Sequence, residues 1–156
     1  MKRRPGVPSR ALAWQQNPGL TPAYTLFDLG GFGLLKKTIG SLKLTGGLRY
    51  DTRVVRWGDF YVAPNPATGF DGVATAATPG ASQPFSAFRY TYRGLSASLD
   101  GSYALGEHLV LRANISRGYR APNIPEIGSN GLDPGAHIVY LGNRSFRPEF
   151  SLQEDL

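Results

Sequence analysis

Between Ser41 and Asp51 the chain reads SLKLTGGLRYD, with Leu42, Leu44, Leu48 and Tyr50 on one parity and Lys43, Thr45, Arg49 and Asp51 on the other. A period of two belongs to a strand with one apolar and one polar face. Two further runs repeat it. LSASLDGSY sets Leu95, Ala97, Leu99 and Tyr103 against Ser96, Ser98, Asp100 and Ser102; LVLRANIS sets Leu109, Leu111, Ala113 and Ile115 against Arg112, Asn114 and Ser116, with Val110 out of pattern. Only Ala104 to His108 separates these two runs, with Gly106 available for a positive φ, so they should form a tight antiparallel hairpin. Upstream, YTLFDLGGFGLLKKTIG reads as another strand that ends near Gly40, although Leu26-Phe27 and Leu34-Leu35 leave its facing ambiguous.

Connections of unequal length separate these strands. The stretch from Val62 to Gln83 is rich in proline and glycine, nearly free of charge and reads as a long loop, as does Ala121 to about Arg144. Short turns alternate with these long loops, the arrangement of a transmembrane β-barrel with short turns on one side and long loops outside. About 10 residues rising roughly 3.3 Å each, tilted near 45°, cross the roughly 25 Å apolar band of an outer membrane. Leu42, Leu44, Leu48, Leu95, Leu99, Leu109, Leu111 and Ile115 would then face lipid, and Lys43, Arg49, Asp100, Arg112 and Asn114 a wet lumen. A soluble sheet with one buried face makes the same alternation, so a β-sandwich binding module stands as the alternative, with an enzyme behind it.

The aromatic residues of FRYTYRG, Phe88 to Gly94, with Tyr50, Trp57, Tyr61, Tyr103 and Tyr119, gather toward strand ends, where a barrel carries its girdles. Apolar parity also switches from even at Phe88, Tyr90 and Tyr92 to odd from Leu95 onward. A β-bulge is expected at Gly94, the point of the switch.

Composition narrows the alternatives. Glycine at 20 and proline at 12 in 156 residues disfavour helices, and no apolar run approaches the roughly 18 residues of a spanning helix. Cysteine is absent, which removes disulfides and thiolate metal sites. The charge of +6 comes from scattered basic residues, with Lys2, Arg3 and Arg4 the single basic run, and nucleic-acid binding is not expected. Pro5, Pro8 and Arg10 interrupt the apolar stretch an export signal would need. His108 and His137 lie far apart without metal-ligand spacing, and no nucleophile or nucleotide fingerprint is present, so neither catalytic residues nor a cofactor is expected. Glu149, Glu154 and Asp155 read as strand acids rather than an acid/base pair.

Two blocks carry a family likeness. SRGYRAPNIPEIGSNG, followed by YLGNRSFRPEFSLQEDL, resembles the barrel domain of TonB-dependent outer-membrane receptors, in which a strand ends in a phrase like F-R-A-P-N and the next is approached through G-N-P-x-L-K-P-E-x-S. GGFG followed by LTGGLRYD is also similar to a phrase of these receptors, and APNIPEIGSNG is similar to versions from Bacteroidetes-type bacteria. The likeness runs from about Tyr24 to Leu156. Arg144 stands where the phrase has proline, Phe146 where it has leucine and Arg147 where it has lysine. The motif positions are Arg120, Ala121, Pro122, Asn123, Gly142, Asn143, Pro148 and Glu149. Pro122 and Pro125 lack amide donors and bias their predecessors away from helix, so they should stop the strand ladder. Pro148 should let pairing resume afterward. Arg120 and Glu149, at matching heights, are either an ion pair or two solvated charges.

The expected class is therefore all-β: an antiparallel transmembrane β-barrel segment of four to five strands with long external loops, spanning 24–156 after an irregular segment at 1–23. The resemblance implies a receptor that takes up a scarce ligand, such as a siderophore, haem, cobalamin or a glycan, through a 22-stranded barrel around a plug that contacts TonB. Neither plug nor TonB-contact segment is recognisable, and four or five strands cannot close a membrane barrel. The expected partners are outer-membrane lipid, the remaining strands, and a plug through which TonB would act. Tyr61, Phe70, Phe85, His137 and Tyr140 are the candidates for ligand contact in the loops, with loop packing as the alternative use of each.

Overall fold

The computed structural model describes residues 20–133 and 136–156; most of the segment 1–23, including its basic run and its prolines at 5, 8 and 18, lies outside them. Four long strands, β1 (Tyr24–Ile39), β2 (Leu42–Trp57), β6 (Phe88–Ala104) and β7 (Val110–Arg120), and the shorter β10 (Glu149–Asp155) make one antiparallel sheet in the order β1-β2-β6-β7-β10. The strands join through tight turns at Gly40 and Gly106, both at positive φ (57° and 93°), where a side chain would be strained. At the opposite end the connections are long. Between β2 and β6 lie β3 (Phe60–Asn65), β4 (Phe70–Ala74) and β5 (Ser82–Phe85); between β7 and β10 lie α1 (Ile124–Gly128), β8 (Asn130–Asp133) and β9 (Ile138–Leu141).

Register assigns the faces. Moving from the tight turns toward the long connections, rows across the sheet read Ile39-Leu42-Tyr103-Leu111, Lys37-Leu44-Gly101-Ala113, Leu35-Gly46-Leu99-Ile115-Glu154, Gly33-Leu48-Ala97-Arg117-Leu152 and Gly31-Tyr50-Leu95. The other face carries Thr45, Asp100 and Asn114 in one row and Lys43, Ser102 and Arg112 in the next. These are the facings expected from the alternation, apart from Leu109, which precedes β7. Two cations stand in these apolar rows: Lys37, near the tight turn, and Arg117, which lies 4.1 Å from the centre of the Phe150 ring and donates to the Leu95 carbonyl at 3.2 Å. The ambiguity in β1 reflects apolar residues on both faces: Leu35 and Ile39 on one, Leu34 on the other, where it packs over Gly47.

Among the described residues nothing covers the apolar face. Leu48, Leu99 and Leu111 are each more than half exposed. A soluble sandwich needs a second layer there, and the two small sheets, β4-β3-β5 and β8-β9, do not supply one. The core lies instead on the polar face, at the end with the long connections, where Ile124 and Ile127 of α1 join Val55, Trp57, Tyr92 and Ala121.

That location corrects three expectations. First, β2 and β6 pair without a break from Trp57-Phe88 to Leu42-Tyr103, so there is no bulge at Gly94. Parity switches because the apolar surroundings change sides: beyond Gly94 the protein core covers one face, and below it the opposite face is bare and apolar. Second, Trp57, Phe88 and Tyr92 are not outward girdle residues but part of that core, with Trp57 and Phe88 stacked at 4.4 Å. Tyr50 and Tyr103 do lie on the apolar face, near its two limits. Third, both long loops contain structure. Asn65 accepts the Ala67 amide and Gly69 takes a φ of 72°, turning β3 into β4, so the proline and glycine signals marked a hairpin. In the second loop, an Asn-x-x-Glu start and Ile at i and i+3 form a helix too short for periodicity to reveal.

Gly94 has a different cause. The β6–β7 ladder ends at Ala97-Arg117, and beyond it the Tyr119 ring lies over Gly94, so a Cβ there would run into the ring. Gly94→Ala should therefore cost about 1–3 kcal/mol through overpacking, read as a lower denaturant midpoint. Tyr119→Ala in the same chain should recover most of the loss; failure of the second change to compensate would refute this account.

Candidate functional site

Where β7 leaves the sheet, the two family-like blocks interlock. Arg120, the last residue of β7, directs its guanidinium edge to Glu126 (2.9 and 3.1 Å) and its Nε to Glu149 at the start of β10 (2.9 Å). Glu126 also accepts the Asn123 backbone amide at 2.7 Å, tying the helix start. Ala121 and Pro122 are buried beneath this fork. From the second block, the Gly142 amide donates to the Ser129 carbonyl (2.6 Å) and the Asn143 amide to the Glu126 carbonyl (2.8 Å). A Cβ on Gly142 would lie within 2.7 Å of backbone atoms of Ile127, Gly128 and Ser129. Pro148 precedes β10, whose pairing with β7 starts at Glu149-Arg120. Arg144 donates to the Ser86 hydroxyl at 2.5 Å and lies near Trp57, so this departure from the family phrase also finds partners.

Sequence reasoning left the Arg120-Glu149 pair open and missed Glu126. Its signal was the capping spacing from Asn123. The ion pairs hold the Glu126 carboxyl below the ordinary carboxylate range, chiefly through the Arg120 hydrogen bond and then through the Asn123 amide. A depressed folded pKa contributes stability that is complete above the unfolded value and lost as pH falls through the folded one. Acidification through and below the ordinary carboxylate range should therefore loosen α1 from the sheet. Trp57 fluorescence in a Trp14→Phe chain reports this, because Gly128 of α1 packs on the Trp57 ring. Glu126→Gln should flatten that pH profile.

Next to the interlock, on the polar face, an open cleft of about 620 Å³ is lined by Asp28, Arg49, Asp51, Arg53, Tyr119 and Arg120. Arg53 forks onto Asp28 (2.8 and 2.9 Å) and reaches the Pro122 carbonyl at 3.4 Å, while Arg49 forks onto Asp51 (2.7 and 2.5 Å). Bidentate pairing fixes the planes of both guanidiniums. The facing of Arg49 follows the alternation, but the pairing of Arg53 with Asp28 spans two strands and was not legible.

The candidate ligand residues do not converge. Phe70 is largely exposed at the start of β4, and Tyr61 is half-buried in β3. Phe85 is buried at 2% exposure, 6.2 Å from the Phe60 ring, which makes it a packing residue. His137 takes a φ of 54° in the turn before β9, and Tyr140 is exposed on β9. Among the described residues no three His, Cys, Asp or Glu side chains are grouped to hold a metal.

A single antiparallel sheet with a bare apolar face, a charged and polar opposite face, tight turns at one end and structured long connections at the other is a wall section of a membrane β-barrel. The chain belongs to the family described as TonB dependent receptor-like, beta-barrel, whose model matches residues 5–156. That is a family of outer-membrane receptors rather than of enzymes. No curated protein and no solved structure matches the chain.

Proposed function

We propose that this chain forms part of the barrel wall of an outer-membrane receptor for TonB-dependent uptake of a scarce ligand, of the siderophore, haem, cobalamin or glycan kind. The observation that carries this reading is the uncovered apolar face, backed by an opposite face that is polar and carries the Arg49-Asp51 and Arg53-Asp28 ion pairs. Acyl chains meet the leucines, and the cleft between Asp28 and Arg120 opens into the lumen, where a plug would lie. The outer edges of β1 and β10 pair with further strands, since an open edge in a membrane leaves backbone groups unsatisfied. Phe70, His137 and Tyr140, on the long connections, are the residues placed for ligand contact. Transport then needs the plug, through which TonB acts.

Expression of the full chain with and without detergent tests the membrane assignment. The expected outcome is aggregation in water, driven by the leucine face and the open edges, and a β-rich dispersed species in detergent. A monodisperse monomer in plain buffer refutes the proposal.

A further inference from the structure

Just beyond the apolar rows, on the same face, the side chains become basic. The row next to Tyr50-Leu95 is Leu29-Thr52-Arg93, then comes Phe27-Val54-Thr91, then Thr25-Arg56-Arg89. Arg56 and Arg89 are directly opposite one another in register, where two like charges destabilise a sheet. All three arginines are exposed, and none has a hydrogen bond or ion pair among the described residues. No carboxylate shares these three rows, and Asp59, at the adjoining turn, is engaged by Gln83 and the Ala87 amide. The other arginines of the upper sheet, Arg53 and Arg120, lie on the opposite face and are paired. The like-charged Arg56-Arg89 pair stands at the rim of an apolar face, at the end with the long connections, which on the lipid-facing reading is the level of the headgroups.

We infer that Arg56, Arg89 and Arg93 form a docking site for a lipid phosphomonoester in the outer leaflet. A phosphomonoester carries about −1.5 to −2 charges at neutral pH, with three acceptor oxygens. Two facing guanidiniums match that charge, and the Thr91 hydroxyl lies between them and Arg93. A zwitterionic headgroup offers a single anionic charge beside its own cation and matches less well. The lipid is the source, because the site continues from the apolar face onto which its acyl chains would lie. The inference rests on the lipid-facing assignment proposed above.

Flotation of the refolded full chain with vesicles separates the two ideas. Phosphatidylcholine vesicles alone should carry the chain, and doping them with phosphatidic acid should strengthen binding. Each arginine near an anionic surface contributes about fivefold, so Arg56→Gln with Arg89→Gln should lose about thirtyfold of that enhancement. Because the substitutions remove like-charge repulsion, the variant should unfold at the same or a higher denaturant concentration in detergent. Lys43→Gln with Arg112→Gln, an equal loss of charge on the opposite face, should keep the enhancement. Excess inorganic phosphate at matched ionic strength should leave it intact. Flotation with both vesicle types but no enhancement, equal loss in the chain with Lys43→Gln and Arg112→Gln, or displacement by inorganic phosphate overturns the lipid-phosphate site while leaving the lipid-facing sheet standing. Failure to float with either vesicle overturns both.

Discussion

Replacing Gly142 with alanine is expected to detach the second motif block from α1. The added Cβ would meet the Ser129 nitrogen at 2.6 Å and the Gly128 nitrogen and Ile127 carbonyl carbon at 2.7 Å, all of them backbone. A flexible side chain could swing away from such a contact; three consecutive peptide units cannot, unless the helix moves. Either response breaks the amide bonds from Gly142 to Ser129 and from Asn143 to the Glu126 carbonyl. Overpacking of this kind costs about 3 kcal/mol, and the loss should be local, because β1, β2 and β6 pair independently of it. Hydrogen exchange at the Gly142 and Asn143 amides should accelerate by about a hundredfold, each 1.4 kcal/mol being a factor of ten, with the long strands unchanged. Unaltered protection at both amides would show that the close approach does not hold the loop.

Leu99→Arg is expected to destabilise the vesicle-inserted state by about 2–4 kcal/mol, the cost of a cation on the lipid face of a barrel near its midplane. Leu99 lies centrally in the apolar face, between Gly46 and Ile115 in register. Ser98→Arg, one residue away on the polar face, should cost far less because that face is wet. The pair is informative because a soluble sheet predicts something else. Leu99 is 54% exposed, and arginine at such a site in water is within about 0.5 kcal/mol of neutral. Urea titration of the chain in phosphatidylcholine vesicles measures the difference, and equal midpoints for the two variants would remove lipid from the account of this face.

Both predictions depend on features of different legibility. Leu99 could be assigned its face from sequence because its neighbours alternate and strand geometry turns alternation into facing without further information. The stop at Arg120 was legible for a similar reason, since Pro122 and Pro125 act locally on the backbone. Gly142 was legible only as a member of a family phrase. Its cause, the backbone of residues 127–129 pressed against it, lies 13 positions and more away in the chain. The aromatic cluster of Trp57, Phe88 and Tyr92 was misplaced at an outward girdle because a ring does not record which apolar medium covers it.

What the sequence alone determined was the set of local properties: strands of period two, tight turns at Gly40 and Gly106, the all-β class and the facing of the leucines below Gly94. Each follows from backbone sterics and side-chain direction over a few residues. What only the tertiary structure decided was which face is covered at each height, and therefore that the parity change at Gly94 marks an exchange of environment rather than an extra residue. It also decided that Arg120 joins Glu126 to Glu149, that Arg53 meets Asp28, and that Arg56 faces Arg89 across β2 and β6. Those pairings are set by strand register between segments distant in the chain, a quantity to which no local pattern gives access.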